Sequence, residues 1–146
     1  MTSRFYVGQS DYIDQLNAMD DMAITVAAIA AAGTIDYSVG APLRALYYTT
    51  AATANWAMNF RSAAGTSLDS VMAVGQKVRV SFLATLGATP FYANAFTVDG
   101  AAVTPKWEGG TAPSSGTASS VEEYVFTLIK TAASTFTVLA TRKVFK

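Results

Sequence analysis

Two neighbouring runs anchor the reading: Tyr124-Val125-Phe126-Thr127-Leu128-Ile129, and, after Lys130–Ser134, Thr135-Phe136-Thr137-Val138-Leu139-Ala140-Thr141. In the first, Tyr124, Phe126 and Leu128 alternate with Val125, Thr127 and Ile129, so both faces are largely apolar. In the second, Phe136, Val138 and Ala140 alternate with Thr135, Thr137, Leu139 and Thr141. A period of two marks strands, because successive side chains leave opposite faces of the pleat. The residues Lys130–Ser134 between them read as a hairpin connection.

The same period extends upstream. Trp56, Met58 and Phe60 alternate with Ala57, Asn59 and Arg61. Val78, Val80, Phe82, Ala84 and Leu86 alternate with Lys77, Arg79, Ser81, Leu83 and Thr85. Further strands are expected near Ile35–Val39, Leu43–Thr50, Pro90–Val98 and Ala102–Trp107. Asp99-Gly100 is a tight-turn signal, and Gly87-Ala88-Thr89 reads as another connection. Thr66–Val74 reads as a short helical turn with Leu68, Val71 and Met72 inward. Gly109–Ser120 is rich in Gly, Ser, Thr and Ala and reads as an exposed loop that packs no core. Short strands at this spacing predict a mainly β chain: an antiparallel β-sandwich or jelly-roll-like domain over residues 34–146.

Residues 1–33 read differently, as an N-terminal arm and α-helix. Ser10 or Asp11 is placed to cap it, and acidic residues crowd its start. Tyr12, Leu16, Met19, Ala23, Val26 and Ala30 follow a heptad-like seam, which predicts an oligomerisation or anchoring helix ending at Gly33. Charge is uneven along the chain. Asp11, Asp14, Asp20, Asp21 and Asp36 face Arg4 alone over residues 1–39, whereas Lys130, Arg142, Lys143 and Lys146 meet no acid over residues 124–146. An acidic end of one subunit is therefore expected to meet a basic end of a neighbour.

Composition narrows the function. The 146 residues are 51% hydrophobic and 14% charged, with zero formal net charge and no Cys or His. Mean hydropathy is +0.29. Disulfides, thiolate or imidazole metal sites and Ser-His or Cys-His nucleophiles are excluded. No basic excess supports nucleic-acid binding. Met22–Ala32 is too short to span a membrane, and Met1–Phe5 lacks the order of a signal peptide. No cofactor is expected. Such an apolar chain at zero net charge is expected to bury surface against copies of itself.

Paired carboxylates are the remaining catalytic option. Asp20-Asp21 lies on the expected helix, and Glu122-Glu123 enters a strand, where neighbours point to opposite faces. Each reads as exposed charge, and Asp99 with Glu108 is a remote pairing, so no enzyme is expected. The Tyr and Trp residues read as packing first. Tyr47-Tyr48 places one ring on each face. Tyr92, Trp107, Glu108, Gly109, Gly110 and Pro113 form a candidate ligand or partner loop.

Several segments carry a family likeness. They are Asn55-Trp56-Ala57-Met58-Asn59-Phe60-Arg61, Val74-Gly75-Gln76, Val98-Asp99-Gly100, Thr104-Pro105-Lys106-Trp107-Glu108-Gly109-Gly110-Thr111-Ala112-Pro113, Tyr124–Thr131 and Phe136–Ala140. Through them residues 34–146 resemble a module of virion structural proteins of tailed bacteriophages, especially those of aquatic, cyanobacterial hosts. The resemblance implies a trimeric β-structure without catalytic residues. It implies placement on the phage particle surface, with assembly in the host cytoplasm. Partners would be copies of itself and the major capsid protein or other virion proteins, with a host surface glycan as a further ligand. A homotrimeric capsid decoration (cement) protein is the leading expectation, because no long shaft repeat is present. A short tail-fibre, receptor-binding or adaptor component is the alternative.

Overall fold

A computed structural model of the protein describes residues 22–30, 33–40 and 45–146. Among these, ten strands form two sheets. In chain order they are β1 (Met22–Thr25), β2 (Thr34–Ser38), β3 (Ala45–Tyr48), β4 (Trp56–Arg61), β5 (Lys77–Leu86), β6 (Ala93–Val98), β7 (Ala101–Ala102), β8 (Lys106–Trp107), β9 (Ser120–Ala132) and β10 (Thr135–Phe145). A helical turn, α1 (Leu68–Val71), precedes β5, and a 3₁₀ turn (Glu108–Gly110) follows β8. The larger sheet runs β1-β3-β5-β9-β10-β8 and the smaller β2-β4-β6-β7.

The longest strand, β9, sits between β5 and β10 and pairs antiparallel with both. Its inward row is Ser120, Glu122, Tyr124, Phe126, Leu128 and Lys130, every one buried. The alternation read from the sequence holds here, in β4 (Trp56, Met58 and Phe60 inward) and in β5 (Val80, Phe82, Ala84 and Leu86 inward). The sheets meet through rings. Phe60 of the smaller sheet lies 4.9 Å from Phe126 of the larger, Phe96 lies 5.5 Å from Phe126, and Trp56 lies 5.8 Å from Phe82. The Tyr37 hydroxyl on β2 adds a hydrogen bond across the layers to the Ser81 carbonyl, at 3.1 Å. Tyr48 points inward against Phe82 at 5.7 Å, and Tyr47 takes the opposite face as expected.

Strand pairing departs from the antiparallel arrangement expected. From β1 to β6, each strand lies in the sheet opposite to the one before it. Neighbours within a sheet are thus two elements apart in sequence and run parallel: β1 with β3, β3 with β5, β2 with β4, β4 with β6. Parallel neighbours require a long crossover, and here a strand of the other sheet supplies it. The same sequence step separates Met22 from its neighbour Ala45 and Thr34 from its neighbour Ala57, so the first two turns of chain stack as matched coils. This is a mixed two-sheet fold and not a jelly roll.

The described part of the expected N-terminal helix is not helical, and the rest of it, through residue 21, lies outside the described residues. Met22–Thr25 is an edge strand, and 26–30 carries no helix. Ala23 lies on β1, Val26 is strongly exposed, and Ala30 accepts a turn hydrogen bond from the Gly33 amide. Tyr12, Leu16, Met19 and the pair Asp20-Asp21 lie outside the described residues. The physical reason is pairing: β3 offers an edge to Met22–Thr25, and tertiary pairing of this kind overrides intrinsic helix propensity, high though it is for Ala. β1 and the buried Ile29 therefore belong to the two-sheet unit, across the boundary at residue 33.

Smaller expectations are met in part. Asp99 and Gly100, at φ 51° and 82°, turn the chain from β6 to β7. Thr66–Val74 contains α1 with Leu68 buried, whereas Val71 is exposed. Ala102–Trp107 is broken into β7 and β8, with β8 parallel to β10.

Phe126 touches both layers, so Phe126→Ala is expected to cost about 3–5 kcal/mol. Urea unfolding is expected to show a lowered midpoint at an unchanged slope.

Candidate functional site

The segment after β8 returns to β9 as a loop stapled from beneath. Glu122 is fully buried, which overturns its reading as exposed charge. One carboxylate oxygen accepts the Thr117 amide at 2.7 Å, and the other accepts the Tyr124 hydroxyl at 2.8 Å. The Arg142 guanidinium stands 3.8 Å from that second oxygen and donates to the Ser115 carbonyl at 2.6 Å. The Ser120 hydroxyl donates to the Thr117 carbonyl at 2.8 Å. Burial, reinforced by the Glu122 charge, pushes the Tyr124 phenol far above its ordinary range. It is a permanent donor and no base.

Gly116 fixes the loop's depth. A Cβ there would collide with the Phe91 carbonyl and come 2.8 Å from Leu86 Cδ1. The loop is solvent-facing, as its composition predicts, but its path is held by backbone and ion-pair contacts.

Beneath it lies an open cavity of about 340 Å³, lined by Trp107, Glu108, Thr111, Pro113, Ser115 and Arg142 among others. Three of the predicted loop residues, Trp107, Glu108 and Pro113, meet here. Gly109 and Gly110 form the adjoining turn at positive φ. Tyr92 is not among the lining residues; its backbone is held by Asn55 Oδ1 and the Trp56 amide. The Trp107 ring packs inward, 5.9 Å from Phe96 and 6.2 Å from Tyr124. It is a packing residue at the cavity margin and offers no free stacking platform.

Asp99 and Glu108 do not share a cavity. Asp99 lines a different cavity, with Asn59, Arg61 and Gly100. Its two oxygens accept the Leu68 and Asp69 amides at 2.6 and 2.9 Å, so it caps α1 from another part of the chain. Glu108 is exposed without a carboxylate beside it in its cavity. Among the described residues, no group of three Asp or Glu side chains is placed to hold a metal ion, and no helix is long and apolar enough to cross a membrane.

Two further ion pairs matter. Arg61 meets Asp36 at 3.2 Å on the surface. Lys130, which the sequence reading placed in a hairpin connection, is a buried residue of β9. Its ammonium binds Asp69 Oδ1 at 2.7 Å and donates to the Asp69 and Met72 carbonyls at 2.6 and 2.9 Å. Hydrogen bonds from Lys130 and from the Ser134 amide hold the Asp69 carboxyl below its ordinary 3.8. Lys130 and Arg142 of the basic C-terminal segment are thus engaged internally.

The other large surface feature is the outer face of the six-stranded sheet. Outward residues are Met22 and Ile24 on β1, Tyr47 on β3, Leu83 on β5, Val121, Val125 and Ile129 on β9, and Leu139 and Phe145 on β10. Ile24, Leu139 and Phe145 are among the most exposed large apolar side chains described, at 64%, 41% and 54%. A shallow cavity of about 400 Å³ on this face is lined by Arg79, Lys106, Val125, Thr127 and Leu139, among others.

Comparison with known protein families, curated proteins and solved structures finds no match to this chain.

Two outcomes follow from the site's geometry. Gly116→Ala is expected to destabilise the fold by about 1–3 kcal/mol and to open 109–120 to limited proteolysis before global unfolding. Asp69 is lowered in the folded state, so its contribution is present above pH 3.8 and is lost as pH falls through the folded value. Asp69→Asn is expected to be less stable than wild type at neutral pH and to show a flatter stability curve below that point, read by thermal melts.

Proposed function

We propose that this is a non-enzymatic structural protein of a tailed-phage particle, and within that class a homotrimeric decoration protein of the capsid surface. The observation that carries the reading is the broad apolar outer face of the six-stranded sheet. Isolated apolar side chains on a surface need no explanation, but the cross-strand row Ile24–Tyr47–Leu83, with Met22 and Ala45 beside it and Leu139 and Phe145 exposed further along the face, marks a contact surface. Burial of such a face contributes roughly 25 cal/mol per Å², before the cost of association is subtracted. Repeated at many equivalent positions of a shell, the contact opposes outward pressure. The resemblance of residues 34–146 to virion modules supports the setting.

A tail-fibre or receptor-binding role is the second reading. The cavity beneath the Gly109–Ser120 loop favours it: Arg142, Glu108 and loop backbone groups suit a polar glycan. Because Trp107 packs inward, Glu108→Ala and Thr111→Trp are cleaner probes of that cavity than truncation of the ring.

Sedimentation of the full chain at micromolar concentration is expected to give a trimer, which co-sediments with empty phage capsids. Leu139→Asp combined with Phe145→Asp is expected to abolish assembly at an unchanged melting midpoint. A monomer that ignores capsids, or turnover of a polysaccharide, overturns the proposal. Binding to host cells or lipopolysaccharide, lost in Glu108→Ala, moves the protein to the tail.

A further inference from the structure

The outer face carries charge as well as apolar surface. One cross-strand row runs Arg79–Thr127–Leu139–Lys106 through β5, β9, β10 and β8. Cations stand at both ends, Leu139 and the underlying Val125 supply the apolar middle, and Glu108 beside Lys106 is the one acid lining the same cavity. Lys77 and Lys143 extend the positive field, and Glu123 is the only acid on the outward rows of β5, β9 and β10. Among the described residues, none of Lys77, Arg79, Lys106 and Lys143 makes an ion pair.

The complementary pattern lies in the same chain, outside the described residues. Residues 1–21 carry Asp11 and Asp14, then Leu16 and Met19, then Asp20 and Asp21, against Arg4 alone. This acid–apolar–acid order mirrors the base–apolar–base row. The segment joins β1, which is one edge strand of the six-stranded sheet, whereas Lys106 lies on β8 at the other edge.

We infer that residues 1–21 of one copy dock on the Arg79–Lys106 row of a second copy. This deepens the proposed self-assembly and rests on it. Because root and receptor lie on opposite edges, an arm that occupies a neighbour leaves its own row free for another arm. The contact is head-to-tail, and such contacts close as rings when the rotation permits. The opposed charges steer the encounter and fix its register.

The test uses full-length chains. Arg79→Glu with Lys106→Glu reverses the row, and Asp11→Lys with Asp14→Lys reverses part of the arm. The row residues are exposed and unpaired, so folding is expected to survive, as checked by melting midpoint; Lys77→Glu with Lys143→Glu is the substitute row variant. Each variant alone is expected to sediment as monomer, and a single chain carrying both sets of substitutions, whose arm and row are again opposed in charge, to regain the trimer. Wild-type association is expected to weaken at least tenfold between 0.05 M and 0.5 M salt, since the screening length is only about 10 Å at 0.1 M. A wild type that assembles while both variants assemble equally well overturns the arm inference and leaves the proposed function standing. A folded combined variant that stays monomeric beside an assembling wild type also overturns it. A monomeric wild type, including one whose arm lies on its own row, overturns this inference together with the trimer.

Discussion

The inward row of β9 is the constraint on which the rest of the molecule depends. Tyr124, Phe126 and Leu128 fill the centre between the sheets, and a buried ion of opposite sign ends the row on each side. Burying a charge is costly unless it is paired and hydrogen-bonded. Glu122 therefore draws in Tyr124, Arg142 and the Thr117 amide, and Lys130 draws in Asp69 and two carbonyls. Each cluster holds a segment that has little apolar surface of its own. At one end it is the Gly- and Ser-rich loop, and at the other it is α1 with the β9–β10 turn, whose Ser134 amide donates to Asp69 at 2.7 Å. The apolar core thus sets the layers, while its polar ends set the loops.

Much of this was legible in the sequence, and the reason is the pleat. Alternation at Trp56–Phe60, Lys77–Leu86, Tyr124–Ile129 and Thr135–Thr141 reports which side chains face inward, and those faces are observed. Alternation says nothing about which strand lies alongside, so parallel pairing between strands two elements apart carried no sequence signal. The β1 segment failed for a related reason. Four residues are too short for a period of two to outweigh helix-like spacing, and the strand exists because β3 has an edge to offer.

The candidate site was half legible. Trp107, Glu108 and Pro113 do share a cavity, but Arg142, its cation, was read only as part of a basic tail. Glu122 and Lys130 were missed although a signal existed: both lie in phase with Tyr124, Phe126 and Leu128. A charged residue in the inward phase of an apolar strand is either exposed by the strand's end or paired, and pairing partners distant in sequence cannot be read from spacing. The reach of Asp99 from a tight turn to the start of α1 was hidden in the same way.

Alternating the chain between layers has a consequence for synthesis. From β1 to β6 no strand can pair with its immediate successor, and β5 receives its antiparallel partner only when β9 has been made. The β9–β10 hairpin is the most local extensive pairing among the described residues, and it follows β1 to β8 in the chain. A nascent chain emerging N-terminus first therefore holds one edge of β5 open until β9 has been made. Non-local pairing of this kind slows folding and prolongs exposure to aggregation, so a product truncated before β9 would be a sticky species rather than a smaller version of the whole.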